Sequence, residues 1–259
     1  MNHIRQRWPF APDQIMLARG DVHVWSTALD QPPASVDQLA RLLAADEQAR
    51  VRQCLSHTRR AQLIVARGTL RTLLGRYVQV SPPSIAFSYG AHGKPTLAPP
   101  YDQIGLRFNL AHSHGLALYA FTFDRELGVD VELIRPRARL HQLARRFFSE
   151  REQQALFALP PDQQTEGFFN CWTRKEAYIK AVGAGMALPL RSFSVSLAPD
   201  EPARLLHADG DPHAATNWSF RSLDPADGYV AALATTGPID QIKRWQWNAT
   251  IDPIATSRR

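Results

Sequence analysis

The chain has 259 residues, 44% hydrophobic and 21% charged, an ordinary globular balance with enough length for one large domain or two small ones. Its two cysteines, Cys54 and Cys171, exclude a disulfide framework, no metal-type Cys/His spacing occurs, and no apolar run reaches the length of a membrane span. The formal net charge of +6 calls for a polyanionic partner: nucleic acid, a phosphorylated small molecule or an acidic protein.

In chain order, the alternation in "DVHVWSTAL" (21–29) predicts a strand, and a long helical region follows over residues 35–80. A strand at "SIAFS" (84–88), a Gly/Pro-rich loop, "YGAHGKPTLAPP", and a strand pair on "LRFNL" and "LALYAFTF" come next. After a turn at residues 124–126, "LGVDVELI" reads as a strand. Helices are expected at about 141–158 and 164–182, then strands at "SFSVSL", "NWSFRSL" and "YVAALAT". The order strand, helix, strands thus occurs twice, with the join near residues 124–128. This predicts an α+β fold of two similar α/β subdomains, residues 1–126 and 127–237. Residues 238–259 carry two tryptophans and a basic end and are expected to form a tail.

Three stretches carry candidate chemistry. In "RRAQLIVARGTLRTLLGRY" (59–77), Arg60, Arg67 and Arg71 share a helical stripe beside Leu63, Leu70, Leu74 and Tyr77. They are either a solvated face or guanidinium groups in line for a phosphate monoester. In "GVDVE" the strand period of two sends Asp130 and Glu132 to one face and Val129, Val131 and Leu133 to the other. This is either a wet acidic edge or a pair of hard oxygen ligands sharing a cation. In "WTRKEAYIK" (172–180), Phe168, Trp172 and Ile179 fall on one helical stripe with Glu176 inside it. Turning a carboxylate to the core costs several kcal/mol without compensation. Lys180 at i+4 can supply that compensation as a simple ion pair. Alternatively, Glu176 joins Asp130 and Glu132 as a third ligand of Mg²⁺.

"GVDVE" followed by "WTRKEAYIK" resembles the paired signatures of the 4′-phosphopantetheinyl transferases. "GKPTL" and "FNLAHS" before them, "RFFSEREQQAL" between them and "LPLRSFSV" after them match the larger, pseudodimeric Sfp-type branch. The resemblance implies two halves related by a pseudo-twofold, with coenzyme A in the cleft between them. It implies transfer of the phosphopantetheine arm to a serine of a carrier protein, with release of 3′,5′-ADP. Asp130, Glu132 and Glu176 match the Mg²⁺ ligands, Lys180 the lysine near the reacting phosphate, and Lys94 and His112 positions that contact coenzyme A phosphates. Arg60 and Arg67 lie where the family places cations around the 3′-phosphate, and Lys175 is either a phosphate contact or a solvated neighbour. For the base that takes the serine proton, Glu176, Glu152 and a metal-bound water are all open. Glu152 has a structural role available too, since Ser149 and Glu152 in "SERE" form a capping box.

One departure from the family is Ala111, where many relatives have serine before the histidine; Ser113, two residues on, and nearby backbone N–H groups are the candidate substitutes. The expected partner is an acidic acyl, polyketide or peptidyl carrier, met by a monomeric, cytoplasmic enzyme. The competing classes are a basic nucleic-acid-binding protein and a coenzyme A-binding protein without activity. Against the first, no nucleic-acid reader motif is present, and three carboxylates would repel a phosphate backbone.

Overall fold

The alternation after Asp21 forms β1 (Val22–Ala28), a strand buried along nearly its whole length. The computed structural model describes residue 4 and residues 7–248. Where the sequence suggested one helical region over 35–80, there are three helices: α1 (Pro33–Ala40), α2 (Ala45–Gln53) and α3 (His57–Val78). The last break falls at Ser56, whose hydroxyl accepts from the Arg59 N–H (3.4 Å) and starts a new helix instead of extending the old one. The Gly-rich loop lies between β2 (Phe87–Tyr89) and β3 (Pro95–Leu97), which pair as a hairpin.

β4 (Leu106–Ser113), β5 (Leu116–Phe123) and β6 (Leu127–Leu133) follow as expected. The region read as one helix over 141–158 is two, α4 (Leu140–Phe147) and α5 (Glu150–Ala158). Between them Ser149 Oγ accepts from the Glu152 N–H (3.3 Å), and Glu152 accepts from the Ser149 N–H (2.8 Å). The remaining elements are α6 (Gln164–Val182), β7 (Phe193–Val195), β8 (Leu205–Ala208), α7 (Ala214–Asn217), β9 (Trp218–Leu223), β10 (Tyr229–Thr236) and β11 (Ile242–Gln246).

The larger sheet has the order β11-β1-β5-β4 and a second has β6-β10-β9. Residues 242–246, expected to belong to a tail, are therefore a strand: β11 runs parallel to β1, from Val22 opposite Ile242 to Ser26 opposite Gln246. The physical reason is twofold. The edge of β1 needs a partner for its backbone groups, and Trp245 and Trp247 bury their rings in the core that holds Trp25. Residues 249–259 of the expected tail lie outside the described residues.

α3 covers the larger sheet through Leu70, Leu73 and Leu74, packed in one core with Trp25, Tyr119 and Phe121. Each of those leucines is fully buried, a contribution of about 1.5–3 kcal/mol apiece. α6 covers the smaller sheet through Phe168, Ala177 and Ala181, in a core with Phe220, Ala232 and Ala234. A third core joins the sheets, with Val22, Val24 and Leu118 from one and Val129, Val131 and Leu233 from the other.

Gly128 governs how close α6 comes to β6. A Cβ there would run into the Ala177 carbonyl and the Ala181 N–H, so only glycine lets the helix backbone lie against the strand. That approach brings Lys180 of α6 to Asp130 of β6. Gly183, in the left-handed region at φ 75°, then ends α6.

Candidate active site

The helical stripe that puzzles in the sequence opens onto a cavity. Trp172, Glu176, Ile179 and Lys180 line one side of a space of about 790 Å³, and Lys94 and Asn109 line another. Trp172 stacks on Phe168 (centroids 6.1 Å) and meets Phe147 edge-on (5.8 Å), so it is both packing and wall.

Lys180 Nζ donates to Asp130 Oδ1 at 2.6 Å. The other oxygen, Asp130 Oδ2, is buried without any hydrogen-bond partner. Burial pushes the Asp130 carboxyl up to about 7; Lys180 opposes the rise, and the nearby charges of Glu176 and Glu132 add to it. Glu176 is raised as well, first by burial and then by Glu132, against the pull of Lys180. The three carboxylates therefore feel one another across β6 and α6. His112, on β4, is lowered by burial and by Lys180, with Glu132 pulling the other way.

Three hard oxygen donors and an orphaned buried carboxylate oxygen suit a hard divalent cation such as Mg²⁺. Among the described residues, however, no three His, Cys, Asp or Glu side chains are gathered closely enough to hold a metal ion. Asp130 gives one oxygen to Lys180, and Glu132 gives one to Ser113 Oγ, which donates to it at 2.6 Å. Ser113 thus does not stand in for the hydroxyl missing at Ala111, because its own hydrogen is directed to Glu132.

Lys94 Nζ donates to the Ala181 carbonyl (2.7 Å) and to Glu126 (3.2 Å), tying the loop after β2 to the end of α6. Its ammonium is lowered by burial, with Glu126 opposing. Of the sequence candidates, Lys94, Glu176 and Lys180 line the cavity; Asp130, Glu132 and His112 do not, and five others, Glu152, Lys175, Arg60, Arg67 and Arg71, have structural partners elsewhere. Glu152 and Lys175 form an ion pair at 2.6 Å with both side chains fully buried. Glu152 also accepts from the Val195 N–H (2.8 Å) and Lys175 donates to the Phe193 carbonyl (2.7 Å). With no face open, Glu152 has no access to a serine proton, and Lys175 is neither a phosphate contact nor solvated.

The arginine stripe is likewise committed to the scaffold. Arg71, fully buried, donates to Glu47 (2.6 Å) and the Ile85 carbonyl (2.7 Å); Arg67 donates to the other Glu47 oxygen (2.9 Å) and to Tyr89 (3.1 Å). Arg60 turns to the Cys54 carbonyl (2.8 Å) at the end of α2. Glu47 draws two of these cations inward because a carboxylate that is itself buried needs them.

Sequence reasoning missed Asn109 as a residue in its own right. Its Oδ1 accepts from the Val129 N–H at 2.9 Å and fixes β6 against β4 beside the cavity. The signal was available: an asparagine inside the apolar strand "LRFNL" must find a partner when buried.

Comparison with known proteins places these residues in context. A family model described as the 4′-phosphopantetheinyl transferase superfamily matches residues 126–234. The 4′-phosphopantetheinyl transferase HetI of Nostoc sp. is 39% identical over 244 residues, covering 94% of this chain and 100% of that protein. The 4′-phosphopantetheinyl transferase Sfp of Bacillus subtilis is 33% identical over 169 residues, covering 65% of this chain and 71% of Sfp.

Proposed function

This chain belongs to the 4′-phosphopantetheinyl transferases of the Sfp type, and from that premise we propose how its cavity moves the phosphopantetheine arm of coenzyme A to a carrier-protein serine. The observation that carries the reading is cavity-lining Lys180 paired with Asp130 behind it, with Asp130 Oδ2 left unpartnered and the carboxyl raised further by the charges of Glu176 and Glu132. A carboxylate cluster left incomplete is what a cation with a phosphate ligand would complete.

On this reading Asp130, Glu132 and Glu176 hold Mg²⁺, which when bound neutralises charge on the pyrophosphate. Loading requires the three side chains to draw together. Lys94 and His112 bind phosphates of coenzyme A. Lys180 stabilises the negative charge that grows at the reacting phosphate. The serine Oγ bonds to the β-phosphorus as the bridging P–O bond breaks, 3′,5′-ADP leaves with the electron pair, and Glu176 accepts the serine proton.

The chain is then two similar halves, 1–126 and 127–237, facing each other across the cavity. Supporting this, Lys94 and Asn109 come from the first half and Glu176 and Lys180 from the second. A second half that supplies what a partner subunit otherwise would makes the protein a monomer. The +6 net charge suits an acidic carrier protein and speeds association at low salt. Among the described residues no helix is long and apolar enough to cross a membrane.

The test is incubation of the purified protein with an apo carrier protein, coenzyme A and Mg²⁺, read by intact mass. The carrier should gain one phosphopantetheine on its serine, and 3′,5′-ADP should appear in equal amount. An unchanged carrier mass with a panel of acyl, polyketide and peptidyl carriers would overturn the reading.

A further inference from the structure

β4 and β6 are edge strands of different sheets, yet side chains of β4 hold the backbone of β6 at two points. Asn109 Oδ1 accepts from the Val129 N–H (2.9 Å), and Ser113 Oγ accepts from the Leu133 N–H (3.4 Å). The second contact has a feature the first lacks. Ser113, buried to 7% exposure, also donates to Glu132 Oε2 at 2.6 Å and lies 3.1 Å from His114 Nδ1.

A hydroxyl has one hydrogen and two acceptor sites. An ionised Glu132 offers only acceptors, so the Ser113 hydrogen goes to the carboxylate. His114 Nδ1 must then be the donor to Ser113. The order His114 Nδ1–H to Ser113 Oγ–H to Glu132 Oε2 uses every lone pair and hydrogen consistently. His114 lies at φ 53° in the two-residue turn between β4 and β5, where the hairpin itself calls for left-handed backbone. Among the described residues Glu132 Oε1 receives no protein donor, so Ser113 fixes one oxygen and leaves the other available.

We infer that Ser113 is a positioning residue: its hydroxyl engages one Glu132 oxygen and leaves the other for the cation that the proposed function assigns to Asp130, Glu132 and Glu176. The inference rests on the metal-site reading above and adds a residue that touches neither substrate nor metal. Outer-shell partners of this kind fix ligand orientation, and removing one lowers metal affinity by about 10- to 100-fold.

The experiment is a calorimetric Mg²⁺ titration with saturating coenzyme A and no carrier protein, on the parent, Ser113→Ala, Ser113→Thr and Asp130→Asn. Ser113→Ala should bind Mg²⁺ about 10- to 100-fold more weakly. Ser113→Thr, which keeps the hydroxyl on a strand-compatible side chain, should return near the parent value. In turnover assays the Ser113→Ala defect should shrink as Mg²⁺ is raised, a rescue that a purely structural lesion would not show. Equal Mg²⁺ affinity for the parent and Ser113→Ala, with Asp130→Asn weakened, would overturn the positioning role and leave the metal site standing. No Mg²⁺ binding by the parent would overturn both.

Discussion

Helix α6 carries two lysine–carboxylate pairs at the same 2.6 Å separation, set in opposite surroundings. Lys175 and Glu152 are wholly enclosed, and every strong hydrogen-bonding position has a partner: Glu152 takes Lys175, the Ser149 N–H and the Val195 N–H, while Lys175 also reaches the Phe193 carbonyl and sits 4.2 Å over the Phe193 ring. Lys180 lines the cavity and reaches Asp130 behind it, with 29% and 9% of their side chains exposed, and one Asp130 oxygen has no partner. Distance alone does not separate scaffold from site. Unfilled valence next to further carboxylates does.

The largest effect should come from breaking the enclosed pair. Lys175→Met leaves Glu152 charged, buried and short of its main partner, and should destabilise the fold by about 3–5 kcal/mol, measured by chemical denaturation. A loss below about 1 kcal/mol would mean that the pair is no more structural than a surface bridge, and the contrast along α6 would collapse.

A second test asks whether an orphaned buried atom is enough to mark a site. His23 Nε2 is also buried without a partner, but its ring is walled by Trp245 and Tyr77 and its Nδ1 is bonded to the Tyr77 hydroxyl (2.8 Å). Burial, with Lys243 adding, lowers this imidazole to about 4 from an ordinary 6.5. The folded state therefore keeps His23 neutral while the unfolded chain takes up a proton. Its contribution is fully present above pH 6.5 and is lost as pH falls through about 4, on the order of 3 kcal/mol in all. His23→Gln should flatten the stability-versus-pH curve in that window and leave transfer at pH 7.5 unaltered. A strong loss of transfer would break the distinction between an aromatic-walled orphan and one facing carboxylates.

How much of this was legible in the sequence depends on how far apart the partners lie. Period two in "GVDVE" correctly sends Val129 and Val131 into the core between the sheets and sets Asp130 apart from them. Period 3.6 places Trp172, Glu176 and Ile179 on one wall, and the capping box at Ser149 is a purely local signal. Glu47 collecting Arg67 and Arg71, Lys175 meeting Glu152, and β11 pairing with β1 join segments distant in the chain and leave no local period to read. Hence the arginine stripe is visible, yet the carboxylate that draws it inward is not. The Ser113–Glu132 bond is of the same long-range kind.

The most direct test of the central claim is single-turnover transfer to a carrier protein by Glu176→Gln, with saturating coenzyme A and Mg²⁺. Glu176 sits half-buried on the cavity side of α6, so the isosteric amide preserves the packing and removes only the charge and the proton acceptor. The account predicts an unchanged melting temperature and a transfer rate lower by at least about 100-fold. A folded Glu176→Gln protein that transfers at the parent rate would contradict it and return "WTRKEAYIK" to the status of a helix-edge ion pair.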